Sequence, residues 1–167
     1  YMSGTVTTFS SNAPIGDSAP TTSCFMTGVP QQAGNVSIYP VADPANDLVK
    51  LNPDSAYQPL VTILEAMQLE QAKSAGLVVT CEFPHATPAE CSAHTYNRSN
   101  YKVIAPQMAD NNLEVMFGGG NAFVTEDMKQ HFKNNGTTLI QNDKQALLDF
   151  KGDKAWALFG DKELPYD

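Results

Sequence analysis

At 167 residues and 18.0 kDa the chain is long enough for one domain with a real core and too short to suggest two. Its net charge of −8 and pI near 4.7 argue against a sequence-independent nucleic-acid binder or a binder of anionic membranes, since both depend on a basic surface; positive charge for an anionic substrate would have to be concentrated locally. No apolar run approaches the roughly 20 residues that cross a bilayer, so membrane insertion is not expected, and the first residues lack the basic and apolar regions of a signal peptide.

Residues 1–16 are polar and rich in Ser, Thr and Asn, interrupted by Pro14, and read as a loop. In Asp17-Ser18-Ala19-Pro20 a serine follows an acid and precedes a proline by two residues, the form of a helix first turn. Ser18 is thereby placed at a helix N-terminus, where unpaired N–H groups and the helix dipole favour an anion; the plainer reading is an Asp/Ser cap that serves only the helix. This helix is expected to end near Gly28-Val29-Pro30. The proline-rich stretch from Gln31 to Pro59 reads as an ordered surface connection, with a short extended piece at Asn35–Tyr39.

Leu60–Ala75 sets Leu60, Ile63, Leu64 and Met67, with Ala72 as a further candidate, on one face of an amphipathic helix that Gly76 is expected to terminate. Leu77–Cys81 then reads as a central strand buried on both faces. Thr87-Pro88-Ala89-Glu90 has the form of a capping box, with Thr87 as N-cap and Glu90 at N3, opening a helix that carries Cys91, His94 and Arg98. Further on come a strand at Leu113–Phe117 ending in Gly118-Gly119-Gly120, a helix at Thr125–Asn134, a strand at Thr138–Ile140, a helix at Asp143–Phe150 and a strand at Ala155–Phe159. Strands alternating with helices predict an α/β fold, a mainly parallel sheet flanked by helices, whose ligands gather beyond the carboxyl ends of the strands.

Several residues could carry chemistry. Arg98 is the sole arginine, and a guanidinium can grip two phosphate oxygens where lysine offers a point charge. Thr87 is either a helix cap or a hard oxygen ligand for Mg²⁺. His85 is a loop histidine on the same turn, while His94 and His131 read as structural or exposed; three scattered histidines make no zinc site by themselves. The triple glycine lacks the following G-K-[ST] of a phosphate-binding loop and reads as a tight turn. Cys24, Cys81 and Cys91 have no C-x-x-C spacing and read as free thiols, although a Cys81–Cys91 pair stays open.

Taken in order, Asp17-Ser18-Ala19 with Thr27-Gly28 ten residues after the Asp, Thr62-Ile63-Leu64-Glu65, Gly76-Leu77-Val78, His85-Ala86-Thr87-Pro88-Ala89 with Arg98 thirteen residues after His85, and the triple glycine resemble the alkaline phosphatase family through most of the chain. The resemblance implies hydrolysis of phosphate monoesters with Ser18 as the nucleophile that becomes phosphoserine and also touches one zinc. Asp17 would orient Arg98, Arg98 would hold the phosphoryl oxygens, and Thr87 would be a magnesium ligand. His85 falls where some members carry aspartate and others histidine, which would act on magnesium indirectly. The implied cofactors are two Zn²⁺ and one Mg²⁺; the implied setting is a homodimer in the periplasm or outside the cell.

Members of the family are considerably longer, with a metal-binding aspartate on a strand before the D-S-A segment and an Asp/Glu/His cluster well after it. The chain is therefore expected to be a single partial domain, an incomplete alkaline-phosphatase-like sheet that alone binds zinc poorly and is inactive. Two other readings stand beside this one. Gly16-Asp17-Ser18 also carries the string of a G-D-S serine esterase, which takes its base from a D-x-x-H segment near the C-terminus; here Asp127 and His131 are four apart and no histidine follows them. A non-catalytic folding or interaction unit would be favoured if Arg98 lay remote from Ser18.

Overall fold

The computed structural model describes residues 3–165. Four strands, β1 (Gly76–Glu82), β2 (Val115–Gly119), β3 (Thr138–Gln141) and β4 (Ala155–Leu158), form one all-parallel sheet in the order β1-β2-β4-β3. Six helices accompany them: α1 (Ser18–Thr27), α2 (Ile63–Gln71), α3 (Ala86–Ala89), α4 (Tyr101–Asp110), α5 (Glu126–Asn134) and α6 (Lys144–Asp149). The α/β class with parallel strands is as the strand–helix alternation requires.

The core gathers on the face of the sheet covered by α4 and α5. Trp156 of β4 is packed between Phe83 (ring centroids 5.2 Å apart, nearly perpendicular) and Phe132 of α5 (4.8 Å), and Ile104 and Met108 of α4 close over them with Leu113, Met116 and Leu158. Met116 pairs with Leu77 on one side and Trp156 on the other, so β2 transmits this packing across the sheet to β1.

Several expectations change. β1 lies at the sheet edge instead of its centre, and its residues alternate between exposed and half-buried, with Val78 exposed. Helices cover one face of that strand here, which produces a period of two where a doubly covered strand would show none. The second helix is shorter than the apolar pattern suggested. Thr62 and Glu65 close a capping box around its start, Ala72 ends it in the left-handed conformation (φ 48°), and Gly76 begins β1. Ile63 and Met67, assigned to its buried face, are exposed.

The connection after α1 is not a surface segment in its middle. Asn35, Val36, Ser37 and Ile38 are all buried, and Val36 pairs with Thr95 and Ile38 with Pro59 as single bridges. The apolar side chains of Val36 and Ile38 draw this piece inward, and bonds to Thr95 and to other polar groups satisfy its backbone.

The helix expected from Pro88 to Arg98 is one turn. His85 is the N-cap of α3, without a side-chain cap bond, and Thr87 stands inside the turn while Glu90 ends it. The longer helix lies downstream, at α4, where Pro106 sits in its interior. Proline removes one donor and reads as a breaker, yet Ile104 with Met108 and Ala105 with Ala109 form the buried i, i+4 stripe that holds α4 on the sheet. β2 extends through Gly118 and Gly119, so the glycines belong to the strand as well as to the turn. A Cβ on Gly119 would stand 1.7 Å from the Lys162 carbonyl oxygen, which explains glycine there by close backbone approach.

Candidate active site

Asp17 organises the start of α1. Its backbone is extended, its Oδ1 accepts from the Ala19 N–H at 3.1 Å, and Ser18 occupies the first helical position with its side chain exposed. At the other end Gly28 adopts φ 74° and donates to the Cys24 carbonyl, closing the helix as the Thr27-Gly28 pair suggested. The N-terminal anion site is narrower than the general picture of free first-turn donors. Asp17 takes the Ala19 N–H and Pro20 has none, so of the first-turn donors the Asp17 and Ser18 N–H groups remain, with the helix dipole.

Arg98 comes to this end of α1. Its Nη1 donates to Asp17 Oδ2 at 3.3 Å, bridging 81 residues of sequence. The contact is single and longer than a tight charge-assisted bond, and both side chains keep solvent access, 25% for Arg98 and 50% for Asp17. Asp17 thus uses one oxygen to cap the helix and the other to hold Arg98. Most of the five guanidinium N–H donors stay available for an anion. The Arg98 backbone is fixed separately, its N–H donating to the Gly34 carbonyl at 2.8 Å.

Thr87 and His85 stand on α3 and its cap, on the turn that leaves the carboxyl end of β1. Thr87 is exposed and His85 half-buried. Among the described residues no hydrogen bond joins either of them to Ser18, and no three His, Cys, Asp or Glu side chains gather where they could hold a metal ion. The exposed hydroxyls of Ser18 and Thr87 are hard oxygen donors suited to one position each on Zn²⁺ or Mg²⁺, so these residues fit a contributory part of a metal site and not a whole one.

Glu90, expected as a capping-box partner, is instead completely buried. Its Oε2 accepts from Ser23 Oγ of α1 and from the Ser37 N–H at 2.9 Å, while Ser37 Oγ donates to the Glu90 carbonyl at 2.7 Å. Its Oε1 is buried without a partner. Burial pushes the Glu90 carboxyl up to about 8, against the pull of its bonds to Ser23 and Ser37 and of the Arg98 charge. The same burial, with Glu90 beside it, lifts the Cys91 thiol to about 11. All three cysteines are free and half-buried. Glu90 was legible as unusual: it is the one acid in the run Ala86–Ala93, otherwise made of small, hydroxyl, thiol and proline residues.

Beneath this, His94 joins three segments. Its Nδ1 lies 2.8 Å from the Ser37 carbonyl and its Nε2 2.9 Å from Glu65 Oε1. Both partners are acceptors, so the imidazolium satisfies both. Burial opposes that charge, but the bonds to Glu65 and Ser37 outweigh it and raise His94 above its ordinary value; burial likewise acts upward on Glu65, and the bonds from His94 and Thr62 outweigh it and hold Glu65 low. His94 is structural, as read from the sequence. His131 on α5 faces Asp110 and Asn135, and among the described residues no hydrogen bond joins it to Asp127 or to Ser18, so the pair the esterase reading offered is not assembled.

The sequence model of the alkaline phosphatase family matches residues 1–166. Alkaline phosphatase 3 of Bacillus subtilis is 34% identical over 113 residues, covering 62% of this chain and 24% of that protein. The crystal structure of a cold-active alkaline phosphatase from the psychrophile Shewanella sp. superposes with a TM-score of 0.76 at 27% identity, over 94% of this chain and 35% of that one. A TAB5 alkaline phosphatase mutant in which a histidine is replaced by aspartate, with Mg bound in its M3 site, superposes with a TM-score of 0.75 at 25% identity, over 96% of this chain and 43% of that one. The chain therefore spans about a quarter of the curated relative and less than half of either structure.

Proposed function

The chain belongs to the alkaline phosphatase family, and on that premise we propose that it supplies the nucleophile and the phosphoryl-binding arginine of a metal-dependent enzyme that hydrolyses phosphate monoesters. The observation that carries this reading is the doubly engaged Asp17, which caps the helix that begins at Ser18 with one carboxylate oxygen and holds the sole arginine with the other.

Ser18 Oγ attacks phosphorus in line with the ester oxygen, forming an Oγ–P bond as the P–O bond to the alcohol breaks. Water then cleaves the phosphoserine and restores the hydroxyl. Through both steps Arg98 faces the phosphoryl oxygens with the donors that Asp17 leaves free, and the Ser18 N–H at the helix start adds one more. Thr87 and Ser18 would each contribute an oxygen to bound magnesium and zinc. Such ions, when bound, lower the cost of the serine alkoxide and neutralise the leaving oxygen. His85, beside Thr87, acts on magnesium indirectly; the TAB5 mutant with magnesium supports attention to histidine and aspartate in such a site. Zinc, a homodimer and a periplasmic or secreted location belong to the same proposal through the family.

Turnover of p-nitrophenyl phosphate by the full-length protein carrying this chain, supplied with zinc and magnesium, tests the reading: activity should appear with metal, vanish in EDTA and vanish in Ser18→Ala. Undiminished turnover in Ser18→Ala would refute it. The placement of Arg98 beside Asp17 also counts against a purely non-catalytic unit, for which a remote arginine was the expected sign.

A further inference from the structure

Two separate segments must meet for the site to exist: α1, which carries Ser18, and the stretch ending at Arg98. The second is anchored to the piece Gly34–Ser37, buried from Asn35 on, by three backbone bonds, from Arg98 N–H to the Gly34 carbonyl (2.8 Å) and in both directions between Val36 and Thr95 (2.8 and 3.0 Å). Helix α1 reaches the same piece through one polar junction. Ser23, five residues after Ser18, donates to Glu90 Oε2, and the Ser37 N–H donates to that same oxygen and to Ser23 Oγ (3.1 Å).

We propose that Glu90 is a positioning residue for the phosphoryl site: its Oε2, shared by Ser23 and the Ser37 backbone, sets the distance between the Ser18 end of α1 and Arg98. This rests on the reading of Ser18 as nucleophile. Glu90 is completely buried, and its second oxygen has no partner, so the side chain is held at one point and its charged form is unsatisfied. The neutral acid, with the proton on Oε1, keeps both donors on Oε2. Loss of that proton leaves an uncompensated buried charge, toward which Arg98 is the attracting cation; Cys91 is the other titratable neighbour, and His94 stands one step away on the Ser37 carbonyl. Glutamine reproduces the neutral acid, with Oε1 accepting from Ser23 and Ser37. Leucine keeps the volume and loses the junction.

The test uses the full-length, metal-loaded protein with Glu90→Gln and Glu90→Leu, and Ser23→Ala should Glu90→Leu fail to fold. The expected result is kcat within about twofold of wild type for Glu90→Gln at pH 7 and a loss of about tenfold or more for Glu90→Leu or Ser23→Ala, with inorganic phosphate bound correspondingly more weakly, because a misplacement of about 1 Å is enough for such losses. A merely structural role would lower the melting temperature without changing kcat per folded molecule. Wild type should also lose stability as pH rises from about 4.3 toward the Glu90 ionisation near 8, and Glu90→Gln should be flatter over that range. Equal kcat and phosphate affinity in folded Glu90→Leu would overturn the proposal. If wild type shows no phosphatase activity the nucleophile reading fails, and Glu90 is then judged on the stability profiles and on the Ser18–Arg98 separation in crystals of wild type and Glu90→Leu, equal separations contradicting it.

Discussion

Arg98 Nη1 and Asp17 Oδ2 meet at 3.3 Å across 81 residues, on a carboxylate whose other oxygen already caps the Ser18 helix. Removing the carboxylate therefore has two separable consequences. Asp17→Ala should lower stability by about 1 kcal/mol, the usual worth of an N-cap. Asp17→Asn keeps an acceptor for the Ala19 N–H and should stay within about 0.5 kcal/mol of wild type while lowering kcat/KM, because the charge that orients Arg98 is gone. Denaturant melts and steady-state kinetics on the two variants separate cap from orientation.

Arg98 itself should be less replaceable than its partner. Arg98→Ala should reduce kcat/KM by about 10²- to 10³-fold, in the range seen when one oxyanion donor is deleted, and Arg98→Lys should recover only part because lysine cannot engage two oxygens at once. Inorganic phosphate inhibition should weaken in parallel. Equal inhibition in wild type and Arg98→Ala would place the anion elsewhere.

At the turn after β1, Thr87→Val removes a hydroxyl of nearly unchanged shape and should raise the magnesium concentration needed for half-maximal activity. His85→Asp should lower it, by about tenfold, since an anionic oxygen beside the site attracts Mg²⁺ and accepts from its bound waters, which an imidazole does less well. Magnesium titrations of metal-stripped protein read both effects.

The Glu65–His94 pair gives a pH signature distinct from activity. His94 is raised, so its contribution is complete below about 6.5 and is lost as pH climbs through its folded value; Glu65 is lowered, so its contribution is complete above about 4.3 and is lost as pH falls through its own. The pair is therefore at full strength between those limits. His94→Gln should cost about 2 kcal/mol at pH 6, typical of hydrogen bonds to a charged group, and less at pH 8.5. Chemical denaturation at the two pH values measures the difference.

These relationships were unevenly visible in the sequence. The apolar runs at 113–117 and 155–159, which became strands at 115–119 and 155–158, and the cap at Asp17 announce themselves through local chemistry, since strand burial and capping are decided within a few residues. The Thr87–Glu90 pattern misled because a buried acid and a capping acid look alike in one dimension, and only Ser23 and Ser37, 67 and 53 residues away, distinguish them. No helix is read from the sequence over residues 101–110; Pro106 inside α4 is a breaker strong in isolation, and the packing of Ile104 and Met108 on the sheet outweighs it. The Asp17–Arg98 contact was reachable through the family resemblance and not through spacing.

The central claim is that Ser18 carries the phosphoryl group. Full-length, metal-loaded protein mixed with p-nitrophenyl phosphate, quenched in acid within one turnover and digested should yield phosphate on the peptide holding Ser18, with none in the Ser18→Ala protein. Phosphate on a different residue, or retained hydrolysis by Ser18→Ala, would contradict it.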